Sequence, residues 1–367
     1  ITLEGRYFSE EPKYPAQQEH NASVVLEPEL YHTFDNGAIF QLKPFVRLDS
    51  NEDQRNHWDI REANIVYPAE EWEMQIGISK VFWGASEFVH LVDIINQTDS
   101  VENFGGEEKL GQPMLRFTVP QDRGMFEFFL LPWFRERTFP GEQDRLRSEP
   151  IIDTNHPVYE SAAEQSHPDF AMRYSHTFSN ADAGLYHFIG TSREPDLILG
   201  GDQFNPVLRP YYSQIGQTGM DVQIVAGDWL LKGEALYRIG QGRSFAAAVF
   251  GFEYTFYGIA ESRADLGIIG EYVLDDRADK SLTVFTNDVI GGFRLALNDA
   301  AGSEVLAGIM KDINFSTVMF SLETNRRLTE HLKLHLEALV ILDAAEQDAA
   351  QSLAQDSHCS IELQYFF

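Results

Sequence analysis

The chain holds one cysteine, Cys359, which rules out an internal disulfide. No segment approaches the ~18 consecutive apolar residues that a membrane-spanning helix needs. Basic residues are scarce: 28 Lys and Arg stand against 57 Asp and Glu, a formal net charge of −29. That deficit excludes nucleic acid as a partner, because phosphate recognition needs cations. It also opposes adsorption to an anionic lipid surface. Catalytic signatures are absent too. There is no Gly-x-Ser-x-Gly elbow, no P-loop, no cysteine metal motif and no Asp-x-Asp-x-Asp-Gly calcium loop. His331 and His335 are four apart, but in a strand pattern rather than on the helix a zinc protease requires. These absences predict no enzyme, no cofactor and no bound metal. The chain starts at Ile1 without a Met, which reads as the mark of a removed leader.

What the sequence does have is aromatic residues, 13% of the chain with 27 Phe and 14 Tyr, and a period of two. The last residues run Ile361-Glu362-Leu363-Gln364-Tyr365-Phe366-Phe367, a strand with one apolar face. The same alternation recurs throughout. Phe40, Leu42, Val46 and Leu48 oppose Gln41, Lys43 and Arg47; Phe170, Met172 and Tyr174 oppose Arg173 and Ser175; Trp229, Leu231 and Tyr237 oppose Lys232, Glu234 and Arg238. One face is greasy and the other charged. A soluble sandwich core would not tolerate charge on almost every inward face. A barrel in lipid needs that division, and since only alternate residues meet lipid, a mean hydropathy of −0.27 is no obstacle.

Short and long connections alternate along the chain. Turns such as Asp35-Asn36-Gly37 and Gly227-Asp228 alternate with polar stretches such as 84–112, 136–167, 276–283 and 343–357. The pattern predicts an all-β fold: a transmembrane antiparallel up-and-down barrel of about 18 strands, with 16 or 20 as neighbouring counts. An even count puts both termini on the short-turn side, so that the last strand can pair with the first and leave no edge. Segments 207–226 and 284–297 are each read as one strand. Residues 1–367 form a single domain.

The C-terminal strand Ile361 to Phe367, together with Gly77-Ile78-Ser79-Lys80-Val81-Phe82-Trp83-Gly84 followed by Glu87 to Asp99, resembles Gram-negative outer-membrane β-barrel channels of the porin type. The resemblance implies an outer-membrane location, passive transport, and a terminal Phe367 read by the barrel-assembly machinery. It also implies that loop 84–112, the third outer connection, folds into the barrel and narrows it.

The residues of that loop support an inward fold. Ser86 suits a helix N-cap, and Phe88, Leu91, Val92 and Ile95 recur at helical spacing. Such side chains must be buried somewhere, either against the inner wall or in a helix lying over the barrel rim or at a subunit contact. On the inward fold, Glu87, Phe88, Leu91, Asp93, Ile95, Asp99 and Glu102 are the candidate constriction. A row of bases on inward faces, Lys43, Arg47, Arg61, Arg116, Arg173, Arg209, Lys232, Arg238, Arg294 and Lys333, is the candidate lumen lining. It serves either to select solutes or to build a structural ion-pair network. The expected function is a porin passing small polar or charged solutes. Three rivals remain at this stage: a transporter of hydrophobic molecules, a structural barrel, and a barrel-embedded hydrolase. Expected partners are small solutes, outer-membrane lipid and lipopolysaccharide, the last by way of cations on the acidic loops. The oligomeric state is left open.

Overall fold

The computed structural model describes residues 1–103, 105–277 and 285–367. Most of the expected outer connection 276–283, and the first residue of the expected strand 284–297, lie outside the described residues. The chain forms a closed antiparallel barrel of 18 strands. Closure is made at the termini. Thr2–Phe8 pairs with His358–Tyr365 in a register that sets Leu3 against Leu363 and Gly5 against Ile361. Beyond the ladder, the Tyr365 N–H donates to the Ile1 carbonyl at 2.7 Å. No backbone edge faces lipid at the seam, which is the condition for a sheet to span a bilayer.

The second wall strand is split. His20–Leu26 and Leu30–Thr33 both pair with Ile39–Asp49, and Pro28, which has no N–H to give a ladder, lies in the gap. Opposite Lys43 and Pro44 the next strand, His57–Pro68, carries one extra residue: the register passes from Glu62 to Ile60 and leaves Arg61 out of the pairing. Asp59 and Arg61 up to the break and Asn64 beyond it are all buried, so the bulge switches which alternate residues face inward.

The expected strand 207–226 is really two elements. Gln214–Ala226 is in the wall, while Pro206–Tyr212 pairs with Asp196–Gly201 and, in parallel, with Val158–Tyr159 in a small sheet outside the barrel ladder. Ser213 separates the two. An alternating pattern looks the same in either sheet, so the break has no sequence signature. The Gly216 to Gly219 segment stays inside the wall strand and makes no hairpin.

The outer surface is what lipid requires. Leu48, Trp58, Phe170, Leu185, Phe250 and Ile309 are all exposed. Aromatic clusters gather beside the short turns. Trp72 touches Tyr67 and Phe117, Tyr174 touches Phe126, Trp229 touches Tyr254, and Tyr365 touches Phe367, with ring centres 4.7–5.8 Å apart. Such a belt suits an interface, where an aromatic ring meets acyl chains on one side and water on the other.

Candidate functional site: an inner loop held by wall carboxylates

Glu73–Ser79 ends at the outer side of the wall and Gln112–Gln121 begins there. The chain between them turns inward and packs on inward-facing wall residues. Trp83, Val92, Ile94 and Ile95 are buried against Met114, Phe129, Leu131, Tyr186, Phe188 and Ile215. Val89, with Phe88 beside it, packs against Val249, Val273, Ile290, Met310 and Met319 on another arc of the wall. Each aliphatic side chain fully buried in this way contributes roughly 1.5–3 kcal/mol. That is reason enough for such a segment to leave water.

The expected helix at 86–95 does not form; the segment is irregular. An irregular backbone inside a barrel must find hydrogen-bond acceptors, and the wall supplies them. Glu234, buried on Trp229–Ile239, accepts N–H bonds from Ala85 (2.6 Å), Ser86 (3.0 Å), Leu91 (2.8 Å) and Val92 (3.3 Å). Glu271, on Asp265–Asp275, accepts from Glu87 (2.5 Å) and Phe88 (3.1 Å). The two carboxylates take donors that a helix would have satisfied internally. Apolar spacing reports burial as readily as helicity, and here it reports burial.

The flat floor under Phe88 is made by glycine. Gly292 and Gly308 face each other in register, and a Cβ on Gly308 would lie 2.8 Å from Phe88 Cε1. Gly308→Val is expected to expel the ring and cost about 1–3 kcal/mol, read as a lower melting temperature and new protease cleavage within 86–90. An unchanged digestion pattern would contradict this docking.

The candidate constriction acids of the loop all have basic partners. Glu87 meets Lys232 (2.9 Å) and Arg294. Burial would raise its carboxyl, but those two cations outweigh burial and hold it below the usual range. Asp99 is fully buried on Arg61 at 2.8 Å. Asp93 is 3.4 Å from Lys109, and burial pushes its carboxyl up. Glu102 takes Arg47 (2.7 Å) and His57 (2.7 Å). Burial is outweighed there by His57, Arg47 and Arg55, which bring the carboxyl down to about 2. Of these acids Glu87 and Glu102 reach the open interior, whereas Asp93 borders a smaller space and Asp99 is sealed away.

Most of the candidate lining bases are also paired. Arg47, Arg61, Arg173 and Arg238 are buried, on Glu4 and Glu102, Asp59 and Asp99, Asp221, and Glu194 respectively. Arg116 holds Glu127, and Arg294 also holds Glu304 at 2.6 Å. Lys43 joins Glu27 at 2.5 Å and is more exposed. Lys333 sits at the short-turn end of Leu332–Asp343, opposite Arg327 and Gln364. Arg209 is not in the wall. It belongs to the small outer sheet, 3.8 Å from Asp153, because the strand that carries it leaves the barrel at Ser213.

The outer loops also bury charged groups. Arg145 is 1% exposed, lies 4.3 Å from the centre of the Phe8 ring and bonds Asp356 at 2.8 Å as well as the carbonyls of Glu10, Gln18 and Gln355. Nearby Asp144 is pushed up to about 7 by burial and by Glu52. An unfolded aspartate titrates near ~3.9, so the folded state holds the extra proton. This contribution to stability is complete below about pH 4 and is lost as pH rises through about 7. Amide exchange across residues 141–148 should therefore quicken from about pH 5 to about pH 8, after correction for intrinsic rates, and Asp144→Asn should flatten the change. No dependence in the parent chain would contradict it.

What remains inside is a cavity of about 870 Å³, bordered by Glu87, Phe88, Glu102, Glu323, Glu337 and Arg137 among others. A second space, of about 410 Å³, shares Phe88, Glu107, Arg137 and Glu194 with it.

No family model matches the chain, and no curated protein matches it. Solved structures do. Wzi, an outer-membrane protein of Escherichia coli involved in group 1 capsule assembly and described as a carbohydrate-binding β-barrel, aligns with a TM-score of 0.58 at 9% identity. The alignment covers 100% of this chain and 84% of that one. The trimer form of OmpT from Vibrio cholerae gives 0.48 at 8% identity, over 100% and 97%. A triple mutant of Rhodopseudomonas blastica porin gives 0.46 at 10%, over 100% and 97%. At such identities a likeness speaks for the fold alone, and only the first is close enough to carry weight. In fold, this chain is a closed antiparallel barrel of the kind found in bacterial outer membranes.

Proposed function

We propose that this barrel is an outer-membrane channel for passive diffusion of small polar or charged solutes, with residues 84–112 as its constriction. The observation that carries the reading is the inner loop itself, anchored through its backbone to Glu234 and Glu271 and leaving an interior space of about 870 Å³ with charged borders. A segment needed only to stabilise the wall has no reason to leave such a space. The ion pairs of the lining hold side chains at fixed positions, so that the free charges at the cavity border set the selectivity. Of the apolar run that a hydrophobic cargo would follow, Val92 and Ile95 are sealed against the wall, while Phe88 borders the larger cavity. Reversal potentials of the purified barrel in asymmetric KCl test the proposal. A stable non-zero potential supports a charge-selective pore, and failure to conduct at all would sink it.

A second reading, binding of a carbohydrate, is raised by the description of Wzi as a carbohydrate-binding β-barrel. Retention on immobilised acidic polysaccharide, with no conductance, would support that reading over the channel.

A further inference from the structure

Among the described residues bordering the two interior cavities, Arg137 is the guanidinium with no carboxylate oxygen within 4.0 Å. It is held from behind. Its Nε donates to Ser100 Oγ at 2.8 Å, its backbone N–H donates to the Tyr212 hydroxyl at 3.1 Å, and the Phe139 ring centre lies 5.7 Å from its guanidinium carbon. No hydrogen bond occupies its two terminal nitrogens among the described residues. Glu194, whose charge acts on Arg137, is already shared by Arg238 (3.1 Å) and Arg277 (2.9 Å). Arg193 takes Asp169 at 2.7 Å, and Arg277 also takes Asp275. Among the described residues these four arginines thus meet only Glu194, Asp169 and Asp275, and Arg137 is the one of the four left over. Arg137 is half-buried. A guanidinium partly withdrawn from water without a counter-ion is costly, and a planar carboxylate is its natural partner.

Elsewhere on the border of the larger cavity stand Glu107, Glu323 and Glu337. Among the described residues none of them has a basic partner within 4.0 Å. Glu323 and Glu337 face each other directly in the strand register, an arrangement that like charges disfavour. A dicarboxylate held by Arg137 would be repelled by these acids. A solute with a carboxylate at one end and an ammonium at the other would satisfy both sets of charges.

We propose that the interior is a binding site for zwitterionic solutes of the amino-acid or short-peptide class, with Arg137 receiving the carboxylate and Glu107, Glu323 and Glu337 facing the ammonium. A space of about 870 Å³ exceeds a single amino acid and admits a short peptide with some of its water. For transport the inference rests on the channel reading; for binding it does not.

The test uses the full chain in detergent, titrated calorimetrically with alanyl-alanine, its C-terminal amide and its N-acetyl form. The free dipeptide should bind with measurable affinity. Each blocked form should bind roughly tenfold or more weakly, as expected for loss of one charge-assisted contact. Arg137→Gln should weaken the free dipeptide by a similar factor, and Arg137→Lys by less. Glu323→Gln should weaken it while leaving the N-acetyl form unaffected, a difference that a merely misfolded variant would not show. Equal binding of the amide and the free dipeptide, or an Arg137→Gln variant with unchanged affinity, would overturn the proposal. A barrel that conducts KCl and ignores the dipeptide overturns this inference and leaves the channel standing. One that binds the dipeptide and does not conduct overturns the channel alone.

Discussion

Glu234→Ala is expected to free residues 84–95 from the wall. That carboxylate accepts four backbone N–H groups and also contacts Ser86 Oγ at 2.5 Å. It is 1% exposed, so water does not readily replace it. Each donor left unmet costs about 1–3 kcal/mol. Four of them rival the apolar anchoring of Val92, Ile94 and Ile95, worth roughly 1.5–3 kcal/mol apiece. With the two contributions so close, losing the carboxylate tips the balance. Amide exchange at Ala85, Ser86, Leu91 and Val92 should accelerate by about 100-fold or more, which corresponds to roughly 2.7 kcal/mol of lost protection. Wall strands away from the site should keep theirs. Glu234→Gln keeps one acceptor oxygen but turns an NH2 toward the donors, so it should fall between the two. Unaltered protection at these four amides in Glu234→Ala would mean that side-chain packing alone holds the loop.

The second large effect belongs to Glu4, next to the seam. Its carboxylate meets Arg55 at 2.9 Å, Arg6 at 3.3 Å and Arg47. It therefore ties the first strand to the third wall strand and to the outer loop that carries Arg55. All four side chains are almost fully buried. Arg6 and Arg55 also reach Glu52, and Arg47 also reaches Glu102, so losing Glu4 takes the shared acid from three cations that each keep at least one other carboxylate. Breaking such a buried network costs up to about 3–5 kcal/mol. Glu4→Gln should therefore lower the thermal midpoint of the folded barrel in detergent by many degrees. The loss should appear first as faster exchange in Thr2–Phe8 and His358–Tyr365, which share the seam. Glu4→Gln combined with Arg55→Met should recover part of the loss, because it removes one under-compensated cation along with the carboxylate. A double variant no better than the single would show that Arg55 is not among the under-compensated charges.

The barrel was readable because its physics is local. Lipid on one side and water on the other impose a period of two, and eighteen paired strands repeat that period. Closure followed from the parity of the count, and the Leu3–Leu363 register agrees with it. The inner loop was legible only as a need for burial. Val92 and Ile95 declared that they would leave water, but their spacing could not say whether a helix or a row of wall carboxylates would satisfy the backbone. Strands apolar on both faces carried a hint: Phe129 and Leu131 point inward while Phe128 points out, and Phe188 points inward between His187 and Ile189. An inward apolar face in a barrel with a polar interior marks where something docks. The arginines that matter most to the cavity, Arg137, Arg193 and Arg277, sit in outer connections. Their inward course depends on contacts far away in sequence, such as Glu194 with Arg238 and Tyr212 with Arg137, and no local pattern encodes these.

Single-channel recording of the full chain in a planar bilayer, beside a variant lacking residues 86–99, tests the central claim most directly. The account predicts discrete, small conductance steps for the full chain and steps several-fold larger for the deletion. Identical steps from the two proteins, or none from either, would contradict it.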